Sequence, residues 1–513
     1  MQYITNYKRD LQNNYNIGGE KKMKQKLKSI FLDKSLWIFS AITLIFFGIF
    51  AKMEFAVDSY ATLTFSIKGF ITQFASSGRF CLVIVGVILK MLNLKYETIY
   101  IISFIGAIVC MIISLYKLYL IIKDDIKNDI LKILIPTLIV LNAFSLELFL
   151  FIEKGIMLFG VMVCIFAVGE IKKWLESKNK KYLVTTFIFM LLGNFSYQGV
   201  VGIFVAIAII YIIKYSKNIK EFIINNIVVA LSYGIPAVID YLLIKVLYSS
   251  SRVNGNIDFA RSLKIVMDST QDMITKTFGM LPEHFLEILI ACIIGLTIYQ
   301  IVIKKNSIKE KIIDILKIAY IVIAVIFASV APQLMQNTDS IWFVARSTYS
   351  YASLFGVLVL YLFMNFNDIK NWTRYVVFAL SIVLLVVQFF KFNSIETERY
   401  KVNEMDYEVT RKIVNRIDEY EKSTGNKIKN IALYADKSMS YSYYGIFSTG
   451  DTNIKAYAKD WCIVYILKYY AGLDLKAVDK NPEIDEKFSN EDWSYFEDEQ
   501  LVFDGDTLHL CKY

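Results

Sequence analysis

Apolar runs of about 15–25 residues recur from Leu36 to Phe392, and no other feature limits the fold so strongly. A bilayer core about 30 Å thick demands stretches of this length in helical form, because unpaired backbone groups are too costly there. The surrounding composition agrees: 56% hydrophobic residues, 15% aromatics and a mean hydropathy of +0.46 over 513 residues. The chain therefore reads as mostly α, a polytopic helical membrane protein in the cell membrane.

Expected spans are 36–51, 98–122, 130–149, 155–169, 182–194, 199–213, 222–248, 285–303, 312–331, 343–364 and 375–392. Several are short, as where helices tilt or break around a cavity. The thirteen residues 80–92 are few for a crossing and read as a partial or re-entrant helix, the alternative being that they cross and the lysine rule fails at 123–132. The first reading leaves about 11 spans, an odd number.

Lysines set the expected orientation. The segments 123–132, 172–181, 214–220 and 304–311 are lysine-rich, which marks cytoplasmic loops. The amino terminus then lies inside and the carboxyl terminus outside. Residues 1–35 form a basic cytoplasmic segment, 36–392 the membrane domain with external loops 52–79 and 249–284, and 393–513 an extracytoplasmic α/β domain. Residues 394–513 hold 16 Lys and Arg against 23 Asp and Glu, so the basic excess belongs to the membrane part. Lysines placed this way record orientation, and a nucleic-acid partner is discounted.

Within the tail, 403–425 has helical periodicity with a closing Gly, and "KIKNIALYAD" reads as a strand. "WCIVYILKYYAG" reads as a helix with a Gly stop, and the end as a hairpin about Asp504-Gly505. Only His284 and His509 are present, which argues against a histidine-based zinc site or triad. The six cysteines have no paired metal spacing; Cys462 and Cys511 share the tail and are the pair able to bridge there.

Chemistry-bearing residues gather on the expected outer face. Asp58 follows the first span, one helical turn after Glu54, and Arg79 closes the same loop in "SSGRF". A carboxylate there can deprotonate an acceptor hydroxyl, and a guanidinium can hold a phosphate by paired hydrogen bonds. The plainer alternative makes Asp58 a helix cap and Arg79 a lipid-headgroup contact. Arg346 heads a late span, where it either meets a lipid phosphate or snorkels to the interface. Glu147, Glu153 and Lys154 are sugar or phosphate contacts, or solvated loop charges. Gln198 either bonds a sugar hydroxyl or joins two helices. Asp240, inside an apolar run, is either functional or paired with Lys245. Arg252, Arg261 and His284 face an acceptor or water.

The order of a basic amino terminus, a first span, "VDSY", "SGRF", "SYQGVVGIF" (196–204) and "ARSTYSY" (345–351) resembles the GtrII-type glucosyltransferases. That family resembles the wider GT-C class of multi-spanning glycosyltransferases, and the likeness covers roughly residues 36–392. Members usually carry two adjacent acids after the first span. Here the pair reads Val57-Asp58, which leaves Asp58 as the match and Glu54 as the available stand-in. The resemblance implies transfer of a hexose, glucose by family, from a polyprenyl-phosphate donor to a cell-surface glycan acceptor, with inversion. Asp58 would be the base and Arg79 and Arg346 the phosphate clamps. No metal or other cofactor is needed, with a divalent cation at Asp58 left open. The competing expectations are a transporter or flippase of lipid-linked saccharide, and a glycan polymerase.

Overall fold

The computed structural model describes residues 31–248, 258–366 and 369–513. The basic amino-terminal segment through residue 30, and Arg252, lie outside the described residues.

Among the described residues, eight helices are long and apolar enough to cross a membrane. They are Lys34–Ala51, Tyr96–Ile122, Lys154–Ser177, Gln198–Tyr215, Ile219–Leu247, Phe285–Ile303, Ile308–Met335 and Asn371–Thr424. Shorter pieces complete the bundle. The expected span 130–149 is broken: a helix Asp129–Val140, with Pro136 inside it, stops before a second short helix Ser145–Phe149. Asn142 holds the break open, since its Nδ2 donates to the Ile139 carbonyl at 3.1 Å and its Oδ1 accepts from the Phe144 amide at 2.9 Å. The expected span 343–364 likewise begins as two single turns, Ala345–Thr348 and Tyr351–Ser353, before the helix Leu354–Asn365.

Helix Phe80–Met91 does not run from one end of the bundle to the other. Its start packs Phe80 edge-on to Phe195, 5.0 Å between centroids. At its far end Lys90 donates to the carbonyls of Leu63 and Phe65, at 2.8 and 3.0 Å, which ties that end to the segment before it. The helix is one of the shorter apolar ones and is not among the eight long enough to cross a membrane.

The two ends of the bundle differ in chemistry. At one, Asp125 accepts from Lys172 at 2.8 Å and also pairs with Lys214, while Lys178 donates to Asn225 at 2.9 Å. Three lysine-rich segments, 123–132, 172–181 and 214–220, therefore meet there. At the opposite end lie the segment 52–79, Lys154 and a small sheet domain.

The boundary expected at residue 393 falls inside a helix. One helix, Asn371–Thr424, runs through it for 54 residues, or about 81 Å at 1.5 Å per residue. Gln388, Phe392, Ile395, Arg399, Val402, Asp406, Val409, Ile413 and Ile417 are all buried on it. Steps of three and four put them on a single face, which the membrane core covers first and the sheet domain afterwards. Gly425, at φ +76°, ends the helix.

The sheet domain follows the expected order. Strands β1 (Asn430–Ala435), β2 (Lys476–Ala477), β3 (Leu501–Asp504) and β4 (Thr507–Lys512) lie in the order β2-β1-β4-β3. β1 is parallel to β2 and β4, and β3–β4 is the terminal hairpin, turning at Gly505 with φ +56°. Helix Asp460–Ala471 stops at Gly472 (φ +69°) as its sequence indicates. Helix Pro482–Ser489 was not anticipated. Cys462 and Cys511 form no disulfide; each is free and they are buried in different clusters.

Candidate functional site

The site is built from the opening segment 53–56 outward. The Phe55 amide donates to Asn403 Oδ1 at 2.8 Å, and its carbonyl accepts from Asn403 Nδ2 and Arg399 Nη1, each at 3.0 Å. Two side chains of the long helix thus fix the backbone just ahead of helix Val57–Thr64. On the other flank, the Cys462 thiol of the sheet domain donates to the Val57 carbonyl at 3.4 Å. Every residue of Val57–Thr64 is buried except Asp58. The helix is therefore a clamped internal element, and Asp58, Ala61 and Thr62 are its residues that border open space.

That space is a cavity of about 410 Å³, lined among others by Asp58, Gln73, Ser77, Arg79, Glu153 and Trp461. Among the described residues the Asp58 carboxylate makes no hydrogen bond and no ion pair. Burial pushes its pKa up to about 6, and the nearby Asp451 carboxylate adds to the rise. Arg346 and Arg79 pull it back, while Glu153 raises it further. A carboxylate in this state is a stronger base than usual yet ionised at neutral pH.

Asn403→Ala is expected to leave the Phe55 amide buried without an acceptor, costing about 1–3 kcal/mol. Thermal unfolding in detergent would show it as a lowered midpoint.

Arg79 enters the cavity from a tight turn. Gly78 holds φ +74°, and a Cβ there would fall 2.5 Å from Gln198 Nε2 and 2.7 Å from both Asp240 oxygens, so only glycine fits. Arg79 Nη1 meets Glu153 Oε1 at 3.1 Å, and its guanidinium lies 5.0 Å from the Tyr197 ring centroid. A second cavity, about 90 Å³, is lined by Arg79, Tyr197, Gln198, Trp342 and Arg346. The structure thus brings Asp58, Arg79, Glu153, Gln198 and Arg346 around two adjoining spaces that share Arg79.

Arg346 is not an open clamp. Its Nη1 bonds Glu147 Oε1 at 2.5 Å, its backbone amide donates to Glu147 Oε2 at 2.6 Å, and its Nη2 bonds Asp451 Oδ2 at 2.7 Å. The guanidinium also stacks 4.2 Å from the Phe151 ring centroid. The anion expected from a lipid phosphate is supplied by two carboxylates, one of them from the sheet domain. A third and larger cavity, about 580 Å³, lies beyond Glu147 and is bordered by Asp272, Lys276, Glu283, Lys391 and Phe447.

The loop acids and lysine at 147–154 are not solvated: Glu147, Glu153 and Lys154 are 1%, 4% and 0% exposed. Lys154 and Glu54 lie away from the Asp58 cavity, in a buried cluster with Glu396 and Arg399. Lys154 Nζ has no hydrogen-bond acceptor and sits 4.1 Å from the Tyr100 ring centroid. Burial, then the Glu396 carboxylate, drives the Glu54 pKa upward. Glu54 does not line the Asp58 cavity and so is not a second acid beside Asp58.

Asp240 accepts from Gln198 Nε2 at 2.7 Å instead of pairing with Lys245, whose ammonium lies 6.0 Å from the Tyr241 ring centroid. Gln198 also donates to the Ser77 carbonyl at 3.1 Å. Arg261 and His284 pair with exposed acids, Asp339 at 3.0 Å and Glu287 at 2.9 Å, outside the cavity. Sequence reasoning missed Asp451 and Trp461, which lie in a loop and at a helix start of the tail with no local signal of their destination.

No protein-family model matches the chain, and no curated protein matches it.

Proposed function

We propose that the protein is a membrane glycosyltransferase moving a hexosyl unit from polyprenyl phosphate to a hydroxyl of a cell-surface glycan. One observation carries the reading. Asp58, the single half-buried residue of a clamped helix, has a carboxylate free of protein partners and shares its cavity with Arg79.

In the proposed step an acceptor hydroxyl gives its proton to an Asp58 oxygen as its own oxygen bonds the sugar's anomeric carbon. The carbon–oxygen bond to phosphate breaks, and the electron pair leaves on polyprenyl phosphate, where Arg79 offsets the charge. Direct displacement inverts the anomeric carbon. An apolar groove of about 270 Å³ supports a lipid-borne donor. It runs beside helix Phe80–Met91 and shares Thr62 and Glu153 with the Asp58 cavity. Arg346, already matched by Glu147 and Asp451, acts in this reading as a strut whose field helps to keep Asp58 ionised.

With three lysine-rich segments at one end, that end is assigned to the cytoplasm and the cavity to the outside. The shorter helices near 129–149, 181–196 and 351–365 then join the eight long ones to give eleven passes. The transporter reading draws support from one feature, the buried Asp240 within helix Ile219–Leu247.

The test is incubation of purified protein with polyprenyl-phosphoglucose labelled in the sugar and a cell-surface glycan. Label covalently bound to glycan, with stoichiometric release of polyprenyl phosphate, is the expected result. Donor that changes leaflet in proteoliposomes but is never consumed would replace this reading with the transporter.

A further inference from the structure

Asp240 is the least explained charge in the membrane part. It is 3% exposed, sits within an apolar helix, and among the described residues pairs with no cation. Its Oδ2 takes the Gln198 amide at 2.7 Å, while its Oδ1 has no hydrogen-bond partner. Leaving such an oxygen unmatched inside a bilayer is costly, and intramembrane acids that persist usually meet a ligand or a proton.

A cavity of about 200 Å³ lies against it, with Asn194, Gln198, Tyr233, Tyr241 and Gln336 as its main polar neighbours on otherwise apolar walls. Mostly apolar surface with a few fixed polar groups is how a small neutral molecule is held and oriented. Position narrows the ligand further. Ser77 lines both this cavity and that of Asp58, and Gln198 lines both this cavity and the small one shared by Arg79 and Arg346. The Asp240–Gln198 pair is pressed against Gly78, so it occupies the reverse side of the turn that presents Arg79.

On the proposed reading Arg79 holds the donor phosphate, and we infer that Asp240 and Gln198 form the subsite for the hydroxyls of the sugar attached to it. A carboxylate oxygen accepts from a ring hydroxyl, and Tyr233 and Tyr241 line the same cavity. The ligand class is a neutral polyol, and Asp240 is a specificity-determining residue. Nothing in this assignment needs Asp240 to move a proton.

The experiment measures binding, in lipid nanodiscs, of citronellyl phosphate, citronellyl-phosphoglucose and its 2-, 3-, 4- and 6-deoxy analogues to full-length protein. Losing a hydrogen bond to a charged acceptor should weaken wild-type binding of one deoxy analogue by about 10- to 100-fold. Asp240→Asn should bind the parent glucoside more weakly, be nearly indifferent to that same deoxygenation, and bind citronellyl phosphate like wild type. The last measurement also shows that the variant is folded. Asp240→Asn responding to every analogue as wild type does would overturn the subsite. So would wild type binding the phosphate with and without glucose equally, and in that case the lipid-phosphate reading would stand. Wild type binding neither compound would remove both.

Discussion

Asp58→Asn is expected to lower hexosyl transfer by about 10²- to 10⁴-fold, the range for loss of a positioned general base. The amide matches the carboxylate in shape but has no basic oxygen at neutral pH. Wild-type kcat/KM should be flat above pH 6 and fall toward tenfold per pH unit below it, because Asp58 takes up its proton at about pH 6. The residual activity of the variant should lack that limb. Stability should move the other way. Folding raises the Asp58 pKa, so between its ordinary value and about pH 6 the folded chain holds the extra proton. Stability from this group therefore falls as pH rises through that window, and at neutral pH the ionised form is a burden on the fold. The Asn variant should unfold at a temperature no lower than wild type above pH 6. Equal transfer by the two proteins would remove Asp58 as the base.

Arg346→Met is expected to cost about 3–5 kcal/mol of stability, the penalty for removing one partner of a buried ion pair. Glu147 and Asp451 would be left facing each other with no cation between them. The deficit should shrink as pH falls, since protonating Glu147 removes one of the stranded charges. Arg346→Met combined with Glu147→Gln should recover part of the loss. Thermal unfolding and protease nicking near residue 451 would read both effects, because Asp451 ties the sheet domain to the bundle through Arg346. An unchanged midpoint would mean that the triad carries no structural load.

Much of the fold was legible because it depends on local pattern. Length and hydropathy located Phe285–Ile303, and Gly472 and Gly505 marked turns that the structure uses. Asp58 and Arg79 were legible as a pair because both lie in one short loop. What failed depended on distant partners. Glu147 is buried against Arg346, 199 residues later, and Glu153 against Arg79, 74 residues earlier, so both looked like solvated loop acids. Lys245 lies five residues from Asp240, a spacing that does not put two side chains on one helical face, whereas Gln198 comes from another helix. The division at residue 393 followed a drop in hydropathy. The apolar stripe Ile395, Val402, Val409, Ile413 and Ile417 continues the helix across that drop and is visible in the sequence.

The unbroken rod from Asn371 to Thr424 also locks angular phase. One residue inserted after Phe392 would turn everything beyond it by about 100° and advance it by about 1.5 Å. Asn403 and Arg399 would swing off Phe55, and Asp451 would leave Arg346. Seven inserted residues would nearly restore the angle but lift the domain by about 10 Å. The rod therefore tolerates substitutions far better than insertions, and the sheet domain keeps its place only with the stalk that aims it.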